Sequence, residues 1–202
     1  MARDRTGAAC YAPPMSATVR TPTMTREQFF DWAEAQNERY EFDGFEPVLM
    51  TGGKLGHNMV LLNVQFALRT RLAGKGCQPL GPDSGVATIG DTVRYPDGVV
   101  TCSPIDPDSR LVANPVVIFE VISPTSGRID RIVKVREYAA VPSIRRYVIV
   151  ESSTIGLTVM ERKVAGEHWT LSTLIAEDTL RMPEIGVEIP VVALYEGLDF
   201  PL

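Results

Sequence analysis

Residues 115–122 read Pro-Val-Val-Ile-Phe-Glu-Val-Ile, and Ser123-Pro124-Thr125-Ser126-Gly127 ends the run. Side chains alternate across a strand, so this stretch is apolar on both faces and belongs in the middle of a sheet covered on both sides. It carries one carboxylate, Glu120, set among Phe119, Val121 and Ile122. Burying a carboxylate without compensation is expensive. Glu120 therefore needs an ion pair, with Lys134 or an arginine, or a functional partner. A second carboxylate, Asp97, stands in Val93-Arg94-Tyr95-Pro96-Asp97-Gly98-Val99-Val100. Asp between Pro and Gly is a turn composition. The two valines after Gly98 argue instead that a strand runs on from it. Two carboxylates on adjacent strands repel unless they share a proton or a cation sits between them. A divalent metal satisfies that condition.

The rest of the chain narrows the classes available. At 202 residues and 45% hydrophobic, it can build one domain with a real core. No apolar run is long enough to span a bilayer, and no membrane is expected as a partner. The first two dozen residues hold Arg3, Arg5, Pro13, Pro14 and Pro22 but no continuous apolar segment, so no signal peptide is read. Residues 1–23 are expected to be a disordered leader and 24–202 a single domain. Cys10, Cys77 and Cys102 lack metal-ligand spacing, and so sparse and odd a count fits a reducing cytoplasm. With only His57 and His168, a multi-histidine zinc site is excluded. The net charge of −5 argues against generic polyanion binding. Residues 128–146 nevertheless hold six basic against two acidic side chains, as a phosphate-contacting face or a solvated helix would.

Periodicity gives the element order. Thr25-Arg26-Glu27-Gln28 has the form of a capping box and opens a helix to about residue 36. Alternation on both sides of Asp43-Gly44 predicts a hairpin over 40–49, with Pro47 pushing its second strand to an edge. A helix is expected over 57–73, with Val60, Leu61, Val64, Leu68 and Leu72 as its buried stripe, ended by Gly74 and Gly76. Strands follow at 86–89, 92–102 and 115–122, then a helix at 129–139 stopped by Pro142. A strand at 146–151, a hairpin at 157–162 and 169–174, and a closing segment at 188–194 complete the chain. This order describes an α/β protein with a central sheet.

Pro96-Asp97, Glu120-Val121-Ile122-Ser123-Pro124, Asp130, Lys134 and Tyr138-Ala139, together with Tyr40-Glu41-Phe42-Asp43-Gly44 and His57, resemble the Uma-two family. That family is a branch of the restriction-endonuclease-like, PD-(D/E)XK, nuclease superfamily. The resemblance covers roughly residues 24 to 200, and the stretch from Phe119 to Tyr138 is its most specific part. It implies a restriction-endonuclease-like mixed central sheet flanked by helices, with an N-terminal hairpin. Asp97 and Glu120 would ligate Mg²⁺ or Mn²⁺. The parent motif has a lysine two residues after the glutamate, where this chain has Ile122. In the family that lysine has moved to the following helix, and Lys134 matches it. Gly98 and the Gly-rich loop with Lys54 before His57 are further departures.

Some roles stay open at the level of the sequence. Lys134 is a catalytic lysine or a surface lysine of the basic window. Glu41 is a third acid near the metal or part of a solvated hairpin face. His57 is a hydrogen-bonded core or cap residue, or contacts phosphate or a water beside the metal. Asp130 caps a helix, and Ser123 holds Glu120 or shapes the turn. A metal near a lysine points to phosphodiester hydrolysis. The expectation is a metal-dependent endonuclease acting on DNA in the cytoplasm, as a homodimer by analogy with the superfamily. The alternatives are a nucleic-acid-binding protein that keeps the fold without turnover, and an interaction protein whose carboxylates and Lys134 form a buried ion-pair network.

Overall fold

The computed structural model describes residues 20–122, 129–164 and 167–200. Ser123 and the side chain of Asp130, both singled out above, lie outside that description. The first helix, α1 (Arg26–Glu34), starts on the expected capping box. The Gln28 N–H donates to Thr25 Oγ1 at 3.3 Å, and the Thr25 N–H donates to Gln28 Oε1 at 2.8 Å. Strands β1 (Tyr40–Phe42) and β2 (Pro47–Leu49) form the hairpin. Asp43 Oδ1 accepts from the N–H groups of Phe45 and Glu46, both at 2.8 Å, and Gly44 takes the left-handed φ of +86° that the turn requires. β2 lies at the edge of a four-stranded sheet, where the missing N–H of Pro47 costs little. The other strands of this sheet are β4 (Val86–Ala87) and β5 (Val93–Arg94). α1 packs on it through Phe29, which stacks on Phe42 at 5.2 Å, with Val93 completing a small core.

Helix α2 (Leu55–Leu72) precedes the central sheet. That sheet has the order β10 (Thr170–Leu174), β9 (Leu157–Glu161), β8 (Arg146–Glu151), β7 (Pro115–Ile122), β6 (Gly98–Thr101), β3 (Gln78–Leu80). β7 and β8 are parallel, joined through a π-helical turn (Ile129–Val133) and helix α3 (Lys134–Ala139), and the other pairings are antiparallel. β7 is central and buried along almost its whole length, as its two apolar faces require. Phe119 and Val121 face α2, whose Val60, Val64, Leu68 and Leu72 are fully or almost fully buried against them. Ile118 and Ile122 face α3 and pack with Tyr138, Ile144 and Tyr147.

Four expectations are corrected. The strand read over 92–102 is two strands in different sheets, broken at Tyr95-Pro96-Asp97, because Pro96 cannot donate to a ladder. The closing segment read over 188–194 is the end of a strand followed by a 3₁₀ helix (Val191–Tyr195), and that strand, β12 (Val187–Pro190), forms a hairpin with an unanticipated β11 (Thr179–Met182). β3 was not anticipated either, since its three residues include Pro79. Cys77 and Cys102, read as reduced, are joined by a disulfide that closes the end of the β3–β6 pair. No helix among the described residues is long and apolar enough to cross a membrane.

Leu68 is fully buried at the contact of α2 with the sheet. Leu68→Ala is expected to lower the free energy of unfolding by about 2–5 kcal/mol through lost burial and the cavity left behind, read from urea titrations.

Candidate active site

Glu120 lies on the α3 face of β7 and is 5% exposed. Two donors from α3 meet its charge. Lys134 Nζ donates to Glu120 Oε1 at 2.9 Å, and the Tyr138 hydroxyl donates to the same oxygen at 3.0 Å. Lys134 and Tyr138 are four residues apart, which puts both on one side of the helix. Tyr138 is fully buried; burial first, then the charge of Glu120, hold its phenol well above the ordinary 10.0, so it remains a donor. Lys134 is buried too, which removes the surface reading. Ile122, in the parent motif's lysine position, is packed into the core beside Tyr138, and α3 supplies the cation in its place.

Asp97 comes from the bend immediately before β6. Gly98 pairs with Phe119, so one rung further along this antiparallel register brings Asp97 opposite Glu120. Asp97 Oδ2 accepts the Val121 main-chain N–H at 2.7 Å, continuing the ladder past the end of the strand with a side chain. Asp97 Oδ1 lies 3.4 Å from His57 Nε2, in the first turn of α2. The hydrogen bond to Asp97 raises the His57 pKa above the ordinary 6.5; partial burial opposes this, and the charges of Asp97 and Glu120 and a hydrogen bond to the Val121 backbone add to it. The loop glycine before α2 has a steric role. A Cβ on Gly53 would sit 2.5 Å from the His57 ring, so any side chain there displaces the imidazole.

Glu41 is buried rather than solvated. Its Oε1 accepts from Arg94 Nη1 at 2.7 Å, and its Oε2 lies 3.9 Å from Lys134 Nζ. Arg94 also holds Glu137 of α3 with two parallel bonds of 2.6 and 2.8 Å. Burial works against the guanidinium, but the hydrogen bonds and charge of Glu137 and the charge of Glu41 outweigh it and keep its pKa above the usual range. Arg94, Glu137 and Gln65 were not identified from sequence, and Tyr138 was noted there only as part of the family motif, without a role. Arg94 carried a signal, since it is a charge beside the apolar Val93 and Tyr95, whereas Glu137 is one charge among several in its segment. Gln65 carried none. From the middle of α2, its Nε2 donates to the main-chain oxygens of Asp97 at 3.1 Å and Leu80 at 3.3 Å. It leaves so little room that a Cβ on Gly98 would lie 3.0 Å from that nitrogen, which accounts for glycine after Pro-Asp.

The site therefore forms where the carboxyl end of β7 meets the first turns of α2 and α3, a usual place for function in α/β sheets. All five residues proposed from sequence, Glu41, His57, Asp97, Glu120 and Lys134, fall within it. The described residues of the basic window do not form one face. Lys134 turns inward to Glu120, Arg131 pairs with Glu151, and Arg146 pairs with Glu161 and Glu184 at the far end of β8. Among the described residues, no three His, Cys, Asp or Glu side chains form a group that could hold a metal by themselves.

The mixed central sheet with its flanking helices is a restriction-endonuclease-like fold. The chain belongs to the Uma2 family, described as "Putative restriction endonuclease", whose profile matches residues 26–191. An uncharacterised Synechocystis protein, slr1290, is 29% identical over 188 residues, covering 92% of this chain and 98% of its own. A second, sll1609, is 22% identical over 168 residues, covering 81% and 94%. The crystal structure of "a putative nuclease belonging to DUF820" from Anabaena variabilis matches with a TM-score of 0.68 at 9% identity, over 85% of this chain and 97% of that one. At that identity the likeness is one of fold.

Two outcomes test this geometry. Because the folded pKa of His57 is raised, the Asp97 pairing contributes stability that is fully present below 6.5 and is lost as pH rises through the raised value. In an NMR titration of metal-free protein the His57 midpoint is expected above 6.5 and is expected to fall in Asp97→Asn. Arg94→Ala strands two buried carboxylates, and a loss of about 3–5 kcal/mol is expected in urea unfolding.

Proposed function

We propose that this protein is a metal-dependent endonuclease that hydrolyses DNA phosphodiester bonds. The observation that carries the reading is Asp97, in the bend that leads into β6, standing opposite Glu120 of the neighbouring β7, with Lys134 2.9 Å from the Glu120 carboxylate. Asp97 and Glu120 are hard oxygen donors, a pair that suits Mg²⁺ or Mn²⁺. Mg²⁺ is commonly held by one or two carboxylates and completes its coordination with water and substrate phosphate. When bound, such an ion would stabilise the charge developing on the phosphoryl group and make water a better nucleophile at neutral pH.

The protein's own groups supply the rest. Tyr138 fixes the Glu120 carboxylate by donating to it, and Val121 and His57 hold the two oxygens of Asp97. Lys134 provides a buried ammonium at the point where a phosphate would meet Glu120. There it orients the attacking water and stabilises charge in the transition state. Glu41, between Arg94 and Lys134, lies 3.9 Å from the lysine ammonium and helps to hold it in place. His57, beside Asp97 and with its side chain 21% exposed, is available to donate to a phosphate oxygen.

A second reading rests on one observation, the ion pair that already engages Lys134 in the interior. In that reading the protein binds nucleic acid without turning it over. Titration calorimetry with Mn²⁺, followed by plasmid nicking with Mg²⁺ or Mn²⁺, separates the two. Wild-type protein is expected to bind Mn²⁺, and Asp97→Asn and Glu120→Gln to lose that binding. Lys134→Ala is expected to retain the metal while nicking falls by about 10²- to 10³-fold. Metal-free DNA binding that survives Asp97→Asn, with no nicking by any form, would establish the second reading instead.

A further inference from the structure

α2 is apolar on two opposite sides. The side bearing Val60, Val64, Leu68 and Leu72 is closed against the central sheet. On the other, Leu55, Met59, Leu62 and Phe66 are 83, 37, 63 and 74% exposed. Their successive spacings of four, three and four are the repeat of a coiled-coil seam. At about 100° per residue they form one narrow stripe diametrically opposite the buried one. A helix that is apolar all round is normally covered all round. The sheet supplies one cover.

Size and charge indicate what supplies the other. The four side chains present on the order of 500 Å² of apolar surface, in the range of the largest patch found on a typical monomer. That is more than half of the roughly 800 Å² that each partner contributes to a stable interface of standard size. Residues 55–68 contain no Asp, Glu, Lys or Arg, and the flanking polar groups, Asn58, Asn63 and Gln65, are neutral. Two copies of this face meet through neutral side chains, with the exposed cations Lys54 and Arg69 only at its two ends. Depletion of charge around Leu, Met and Phe is also the composition of an interface centre. Between Lys54 and Arg69 the stripe carries no cation, which disfavours DNA and an anionic membrane surface as occupants.

We propose that this face of α2 binds the same face of a second copy of the chain, in a two-fold antiparallel helix pair. Leu55 and Met59 of one copy then lie against Phe66 and Leu62 of the other. The antiparallel sense sets each helix amino end beside its neighbour's carboxyl end, the favourable arrangement of the helix dipoles, and a self-complementary patch generates a closed dimer. The proposal stands independently of the nuclease reading, since its test does not involve metal or DNA.

Sedimentation velocity of the full chain at micromolar concentrations is the test. Wild type is expected at twice the chain mass. Leu62→Glu and Phe66→Glu are expected to raise the dissociation constant by at least about 30-fold. Both side chains face solvent, so the thermal melt of the monomer should be unchanged, which separates lost pairing from lost folding. Leu171→Glu, at an equally exposed leucine on β10, serves as control and should leave the dimer intact. A wild type that stays monomeric throughout the range overturns the proposal and leaves the face to a different protein or another segment of this chain. A dimer that persists in Leu62→Glu and Phe66→Glu overturns it in favour of another surface.

Discussion

A carboxylate buried in the middle of a central strand is the constraint on which the rest of this structure depends. Glu120 has Phe119 and Val121 beside it in sequence and Ile118 and Ile122 on its own face. Lys134 and Tyr138 make it tolerable there by donating to it. Those donors come from one side of α3, so the requirement fixes both where α3 packs and how it is rotated. The helix also serves as the crossover between the parallel strands β7 and β8. The electrostatics of one residue and the topology of the sheet are therefore satisfied by the same element.

Arg94 extends this arrangement to the smaller sheet. It lies on β5, and its buried guanidinium needs partners, which it finds on β1 in Glu41 and on α3 in Glu137. The two sheets are thus joined through a buried charge network as well as through apolar packing. Such networks are weak sources of stability compared with apolar contacts, but breaking one leaves an isolated charge, so they enforce a single arrangement. That property suits a site whose carboxylates and lysine must hold their relative positions. The same reasoning explains Gln65, which uses its amide to anchor the backbone beneath Asp97.

Much of this architecture is legible in the amino-acid sequence. The capping box, the hairpin turn, the stripe on α2 and the two-faced β7 each follow from local chemistry with a short repeat. The pairing of Asp97 with Glu120 was inferable because two carboxylates stood beside apolar runs. The broken strand at Tyr95-Pro96-Asp97 was less legible, since alternation continues through it while Pro96 withdraws the donor that a continuous ladder needs. β3, β11 and β12 were missed because strands of three or four residues carry too little periodicity to stand out. The Cys77–Cys102 bond was missed because no local pattern states that their strands are neighbours.

The sequence by itself determined that a covered central strand must hold a carboxylate, that helices must flank it, and that Asp97, Glu120 and Lys134 were the groups to account for. It could not decide whether Lys134 pointed inward, whether Glu41 met water or Arg94, or that Gln65 would reach Asp97. Those outcomes depend on contacts between residues dozens of positions apart. Their side chains meet only after the sheet has paired and the helices have closed over it, and local preference contains no term for that meeting.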